Sequence, residues 1–230
     1  DEEGPFKPEE YVPKNIGTCI QKLQTFWFGV PEDNPNIVKL YRGGNIEEKL
    51  VRHTKGLFGA SVELLDEVWK LCEGVEGLDG LLAFIIISGP IYKIIHEGKI
   101  PETKQHLSLI EEAVKRLVPK AEELTEFKAL YLFAAMASTE DKEISASGAA
   151  GIDKFISAED QTPLLKEIAG KLKEEVSDKI DLIAKFSRDP RLNSVMERES
   201  SEEEKEWLKA NGFSENNNTV LENQKTNGED

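Results

Sequence analysis

LLAFIIISGPIYKII, residues 81–95, is the stretch on which the fold turns. Its only charge is Lys93, and it is apolar on every side, the pattern of an element surrounded by others. As a helix it would extend about 22 Å, short of the roughly 30 Å hydrocarbon core of a bilayer. Gly89-Pro90 would kink or break that helix, because proline lacks the amide donor and its ring collides with the preceding turn. The reading is a buried central helix; a strand or strand pair and a membrane-inserting segment are the alternatives.

The flanking segments are amphipathic with helical spacing. Phe58, Val62, Leu65, Trp69 and Cys72 follow steps of 4, 3, 4 and 3, one stripe of a 3.6-residue helix. Leu107, Ile110, Val114 and Leu117 repeat that spacing, as do Leu124, Phe127, Tyr131 and Ala134. Pro101 and Pro119 fit first-turn prolines, so 101–118 and 119–137 read as consecutive helices meeting at a sharp corner. Between the first two patterns, Gly74, Gly77 and Gly80 read as a flexible turn. Thr162-Pro163 reads as an N-cap followed by a first-turn proline, opening the longest helix; Leu165, Ile168, Leu172, Val176 and Ile183 carry its stripe to about residue 186. Ser201 and Glu204 have capping-box spacing, Trp207 and Leu208 supply an apolar contact, and Gly212 fits the position after the helix end.

Upstream, Pro5, Pro8 and Pro13 predict an extended arm over 1–13, and a first helix is expected over 14–28. The C-terminal 213–230 is polar, with Val220 and Leu221 its only aliphatic residues. The expected architecture is all-α. A single bundle-like domain of about seven to nine helices surrounds a central apolar helix, with an acidic arm over 1–13, a helical domain over 14–199, a short helix over 200–212 and a polar tail over 213–230.

The 230 residues carry 44 acids against 29 bases, a net charge of −15. Phosphate backbones and anionic lipid surfaces are therefore disfavoured partners, and neither nucleic-acid binding nor membrane insertion is expected. Most of that charge sits at the ends: residues 1–13, 197–209 and 213–230 contribute −4, −3 and −3. Two cysteines, Cys19 and Cys72, can make at most one disulfide and cannot form a four-thiolate zinc site. Each has apolar neighbours and reads as a reduced packing residue.

Catalytic signatures are absent. The three histidines, His53, His96 and His106, stand in no HExxH motif and none follows a glutamate by three residues. Glu102 and His106 would share a helix face but read as a surface pair. There is no phosphate-binding glycine loop, dinucleotide fingerprint, serine elbow or calcium loop. The tract from Ser145 to Gly151 reads as a loop or as a place of tight helix packing. Adjacent acids such as Glu111-Glu112, Glu122-Glu123 and Glu174-Glu175 diverge by about 100° on a helix, so they read as solvated faces and not as catalytic dyads.

No catalytic residue, metal ligand or cofactor is therefore expected, and a non-enzyme is favoured over an enzyme lacking a local signature. The leading functional reading is a non-catalytic interaction protein, a scaffold or accessory subunit with one or more protein partners. Its candidate contact is Phe26, Trp27 and Phe28, whose rings sweep too wide an arc for one buried helix face. The alternative is a carrier or sensor of a small apolar ligand or lipid, with Trp69, Phe84, Ile86 and Tyr92 as candidate cavity residues. Cytoplasm and an organelle lumen are both compatible with this composition.

Overall fold

The computed structural model describes residues 55–56, 58–59, 61–98 and 103–214. The arm over 1–13, the expected first helix with Phe26, Trp27 and Phe28, Cys19 and the tail after Ser214 lie outside the described residues. Eight α-helices and no β-strand occur among the described residues. They are α1 (Leu65–Glu73), α2 (Asp79–Ile86), α3 (Tyr92–Ile95), α4 (Lys104–Leu117), α5 (Glu126–Ala137), α6 (Lys142–Ser157), α7 (Pro163–Phe186) and α8 (Glu202–Ala210). The all-α expectation therefore holds.

The apolar stretch is the interior of the protein. Residues 81–88 are all buried, as is Ile91, and Phe84, Ile86 and Ile87 have no exposed surface. Gly89-Pro90 does not break the helix. Instead α2 runs into a π-helical turn, Ile87–Ile91, that leads without interruption into α3. Pro90 has no amide hydrogen for the usual bond one turn back, and a wider turn removes the clash with its ring. The Ser88 hydroxyl donates to the Phe84 carbonyl at 2.6 Å, satisfying a buried polar group inside the segment.

Around this element the helices form two groups. α1 and α4 pack on α2, while α5, α6 and α7 pack on one another, and contacts of α5 with α2 and α4 join the groups. Phe58, Val62, Leu65 and Cys72 bury the expected stripe before and along α1. The chain turns sharply from α1 into α2 through Gly77, whose φ of 87° suits glycine, and through Gly80, where a Cβ would strike the Cys72 carbonyl and Val75.

The small-residue tract lies inside α6 and packs tightly. A Cβ on Gly148 would come within 2.5 Å of the Phe133 carbonyl oxygen and the Ala137 nitrogen, and one on Gly151 within 2.7 Å of the Phe133 ring. The buried Ser145 hydroxyl donates to the Ala137 carbonyl at 2.8 Å, meeting an acceptor left over at the end of α5.

Two boundaries differ from expectation. α4 begins at Lys104, where the Thr103 side chain accepts from the His106 amide. Pro119 opens a short 3-10 segment, Val118–Glu123, and not an α-helix; Leu124 is then extended (φ −82°, ψ 146°), so α5 starts only at Glu126. The remaining caps match the sequence reading. Thr162 accepts from the Leu165 amide ahead of Pro163, and α7, at 24 residues the longest helix, ends at Ser187 in the left-handed region (φ 60°).

At α8 the Ser201–Glu204 capping box is complete. Beyond the helix, the Phe213 amide donates to the Leu208 carbonyl and the Gly212 amide to that of Lys209, a Schellman closure with Gly212 at φ 77°. Trp207 packs between Phe186 and Phe213, with ring centroids 6.4 and 6.0 Å away, and so fastens α8 to the end of α7.

Candidate functional site

A cavity of about 140 Å³ opens where the two helix groups meet. Three helices each present one face to it at helical spacing. α4 contributes Leu107, Ile110 and Glu111; α5 contributes Tyr131, Ala134 and Ala135, with Ser138 one turn on; α7 contributes Leu172, Glu175, Val176 and Lys179. The central segment closes the remaining side with Ile85, Ile86, Ser88, Gly89, Pro90 and Lys93. The π turn therefore forms part of the wall, and a Cβ on Gly89 would meet no atom within 4 Å. Thr139 and Glu140 just after α5, and Leu192 and Met196 after α7, complete the lining.

Most of this wall is aliphatic, and the charges gather where α3 approaches α7. Burial pulls the Lys93 pKa down, opposed by Glu175 and aided by Arg191. Lys179 shifts the same way from burial, opposed by Asp189, with Lys93 and Arg191 adding to the fall. Its ammonium stands 3.9 Å from Asp189 Oδ2, too far for a hydrogen bond. Glu175 responds in the opposite sense, because partial burial raises its pKa against the pull of Lys93 and Lys171. Glu175 lines the cavity and is also exposed, so it marks the side on which the cavity meets solvent.

The neighbouring carboxylates are already engaged. Arg191 bridges Asp189 through Nε and Nη2, each at 3.0 Å from one carboxylate oxygen. Arg198 grips Glu140 at 2.6 and 2.9 Å, and Glu140 also accepts the Asp189 amide at 2.9 Å. Glu111 pairs with Lys115 at 2.9 Å.

Of the four cavity residues expected from sequence, Ile86 lines this cavity; Trp69, Phe84 and Tyr92 do not. Phe84 is fully buried with Trp69 edge-on at 5.0 Å, and Tyr92 stacks on His96 at 4.2 Å. These aromatic rings are consumed by packing with one another. The partner-contact residues Phe26, Trp27 and Phe28 fall outside the described residues. Glu174 and Glu175 are both exposed, as a solvated face requires, and Glu175 in addition lines the cavity mouth.

Lys93 and Lys179 carry no motif. Their signal in the sequence is the lone charge of the apolar stretch, and a lysine one turn after Val176 on the buried side of α7.

His106 Nε2 lies 3.4 Å from Asp66, and His96 Nε2 lies 3.6 Å from Glu63. Each is a contact of two groups, and no cluster of three or more side chains suited to a metal ion occurs among the described residues. Nor, among those residues, is any helix long and apolar enough to cross a membrane.

No curated protein and no solved structure matches the chain. A family model does match, over residues 23–212, and its description is that of a bacterial protein of unknown function, DUF924. That span takes in every helix described above and the whole cavity wall, and the chain belongs to this DUF924 family.

Proposed function

We propose that the protein is a non-catalytic carrier or sensor that holds a small, mainly apolar ligand between α2, α4, α5 and α7. One observation carries this reading: a cavity of about 140 Å³, walled largely by aliphatic side chains and open to solvent near Glu175, lies between the helices of the core. Natural interiors retain few voids larger than a water molecule, so space of this size in an apolar wall is a feature with a use. Its magnitude also bounds the ligand. An apolar cavity of about 150 Å³ accommodates benzene, so the enclosed part of the ligand has about six to eight non-hydrogen atoms. A phospholipid or long acyl chain would not be enclosed.

The experiment is native mass spectrometry of protein purified gently from its source cells, alongside an Ala134→Leu variant that fills the cavity from α5. A small bound mass on the wild-type chain that is missing from the folded variant supports the reading. An equal mass on both, or none on either, removes it.

A second reading is the interaction protein. Among the described residues Ile156 is the exposed large hydrophobic side chain, at 38%. The candidate anchor in this reading is the run Phe26, Trp27 and Phe28, which lies outside the described residues. Alanine substitution of each, followed by affinity capture and thermal melting, tests it: one variant should lose a partner while keeping its melting temperature.

A further inference from the structure

We infer that the cavity's ligand is an amphipathic monoanion, a short-chain carboxylate whose acid group sits between Lys93 and Lys179 while its hydrocarbon part fills the space between α4, α5 and α7. This rests on the cavity reading above and adds the chemical class of what is bound. The argument is a charge balance. Four cations collect at this end of the cavity, Lys93, Lys179, Arg191 and Arg198, against three carboxylates, Glu140, Asp189 and Glu175.

Two of the carboxylates are already taken. Arg191 holds Asp189 and Arg198 holds Glu140, each through two nitrogens, so both carboxylates have a cation of their own. Glu175 alone is left to answer Lys93, and Lys171 also draws on it. No described carboxylate lies within ion-pair distance of the Lys93 ammonium, and the nearest to Lys179 is already bridged by Arg191 at 3.9 Å from that lysine. One positive charge is left uncompensated beside an apolar space.

Desolvation supports the same conclusion. Both lysines are held below their ordinary pKa because burial penalises their charged form more than the nearby acids repay it. A carboxylate arriving between them supplies the missing compensation, and charge-assisted hydrogen bonds in such surroundings are stronger than neutral ones. Glu111, the cavity-lining carboxylate of α4, is paired with Lys115 and does not oppose an anion.

The balance also limits the ligand to a single negative charge. A phosphate monoester would bring about two charges against one surplus cation, and the Glu175 carboxylate would repel the second. The aliphatic walls of α4 and α5, with Leu107, Ile110, Ala134 and Ala135, require the rest of the molecule to be hydrocarbon.

Isothermal titration of the full chain at pH 7 with hexanoate, hexanamide and hexan-1-ol tests this. These probes share a chain and differ at the head. Hexanoate should bind about tenfold or more tighter than hexanamide, and Lys93→Met or Lys179→Met should erase that preference while leaving hexan-1-ol binding in place. If all three bind the wild type equally, the monoanion inference is overturned and the cavity reading stands. If none binds, both fall. The wild-type comparison decides the matter even if a lysine variant does not fold.

Discussion

Arg188 donates to both oxygens of Glu204, through Nε at 2.6 Å and Nη2 at 2.7 Å, and the Glu204 side chain is only 3% exposed. The same carboxylate accepts the Ser201 amide at 2.8 Å and Asn193 Nδ2 at 3.2 Å. One acid thus caps α8, pins it to the end of α7 and fastens the intervening segment that supplies Leu192 and Met196 to the cavity. The Arg188 hydrogen bonds are the main reason its pKa falls to about 2.

That shift fixes a pH dependence. Since the folded-state pKa lies below the ordinary 4.5, the stabilisation is complete above the unfolded value and is lost as pH falls through the folded one. It amounts to about 3 kcal/mol, disappearing between about pH 5 and pH 2. Glu204→Gln should lower stability at pH 7 and flatten the acid limb of a melting-temperature profile. A variant with the wild-type acid slope would show that other carboxylates govern it.

Lys179 should behave in the opposite way. Its folded pKa lies below 10.5, so the unfolded chain holds the extra proton and stability rises as pH climbs from the folded value toward 10.5. Below that window the buried ammonium costs stability, and Arg191 already serves its Asp189 partner. Lys179→Met should therefore raise the melting temperature at pH 7 by about 2–4 °C and weaken the alkaline rise. Calorimetry from pH 7 to 10 checks both. A fall at pH 7 would mean that the long Asp189 contact outweighs desolvation.

Two glycines make a matched pair. Gly148→Ala would push a methyl group against the backbone of α5, and the required displacement should cost about 1–3 kcal/mol. Gly170, within α7, has no atom within 4 Å of an added Cβ, so Gly170→Ala should gain about 0.5–1 kcal/mol by restricting the unfolded chain. Urea denaturation of the two variants should move in opposite directions. A neutral Gly148→Ala would show that α5 and α6 separate easily.

The elements most legible in the sequence were those with local causes. A single charge, Lys93, over 81–95 announces a surrounded helix, Ser201 with Glu204 announces a cap, and the spacing of Leu165 through Ile183 announces α7. The π turn was not legible, because a Gly-Pro pair breaks a helix unless packing on all sides holds it, and that packing is a property of the whole fold. The cavity was only partly so. Ile86 could be named, but large aromatic residues such as Phe84 and Trp69 fill space with one another, whereas the small Ala134 and Ala135 leave it open. Glu175 and Lys179 gain their setting only when α7 and the central segment wall the same cavity, which brings their charges near Lys93, more than 80 residues away in sequence.

The central claim is that the space between α2, α4, α5 and α7 takes up a small ligand, and methyl NMR tests it most directly. With labelled Ile, Leu and Val methyl groups, titration with hexan-1-ol should shift Ile85, Ile86, Ile110, Leu172 and Val176, which line the cavity, and spare Leu65 and Val68 in the core beside α1. Saturable shifts confined to the first set would be the predicted result. Unchanged spectra at saturating alcohol, or shifts confined to methyl groups away from the cavity, would contradict it.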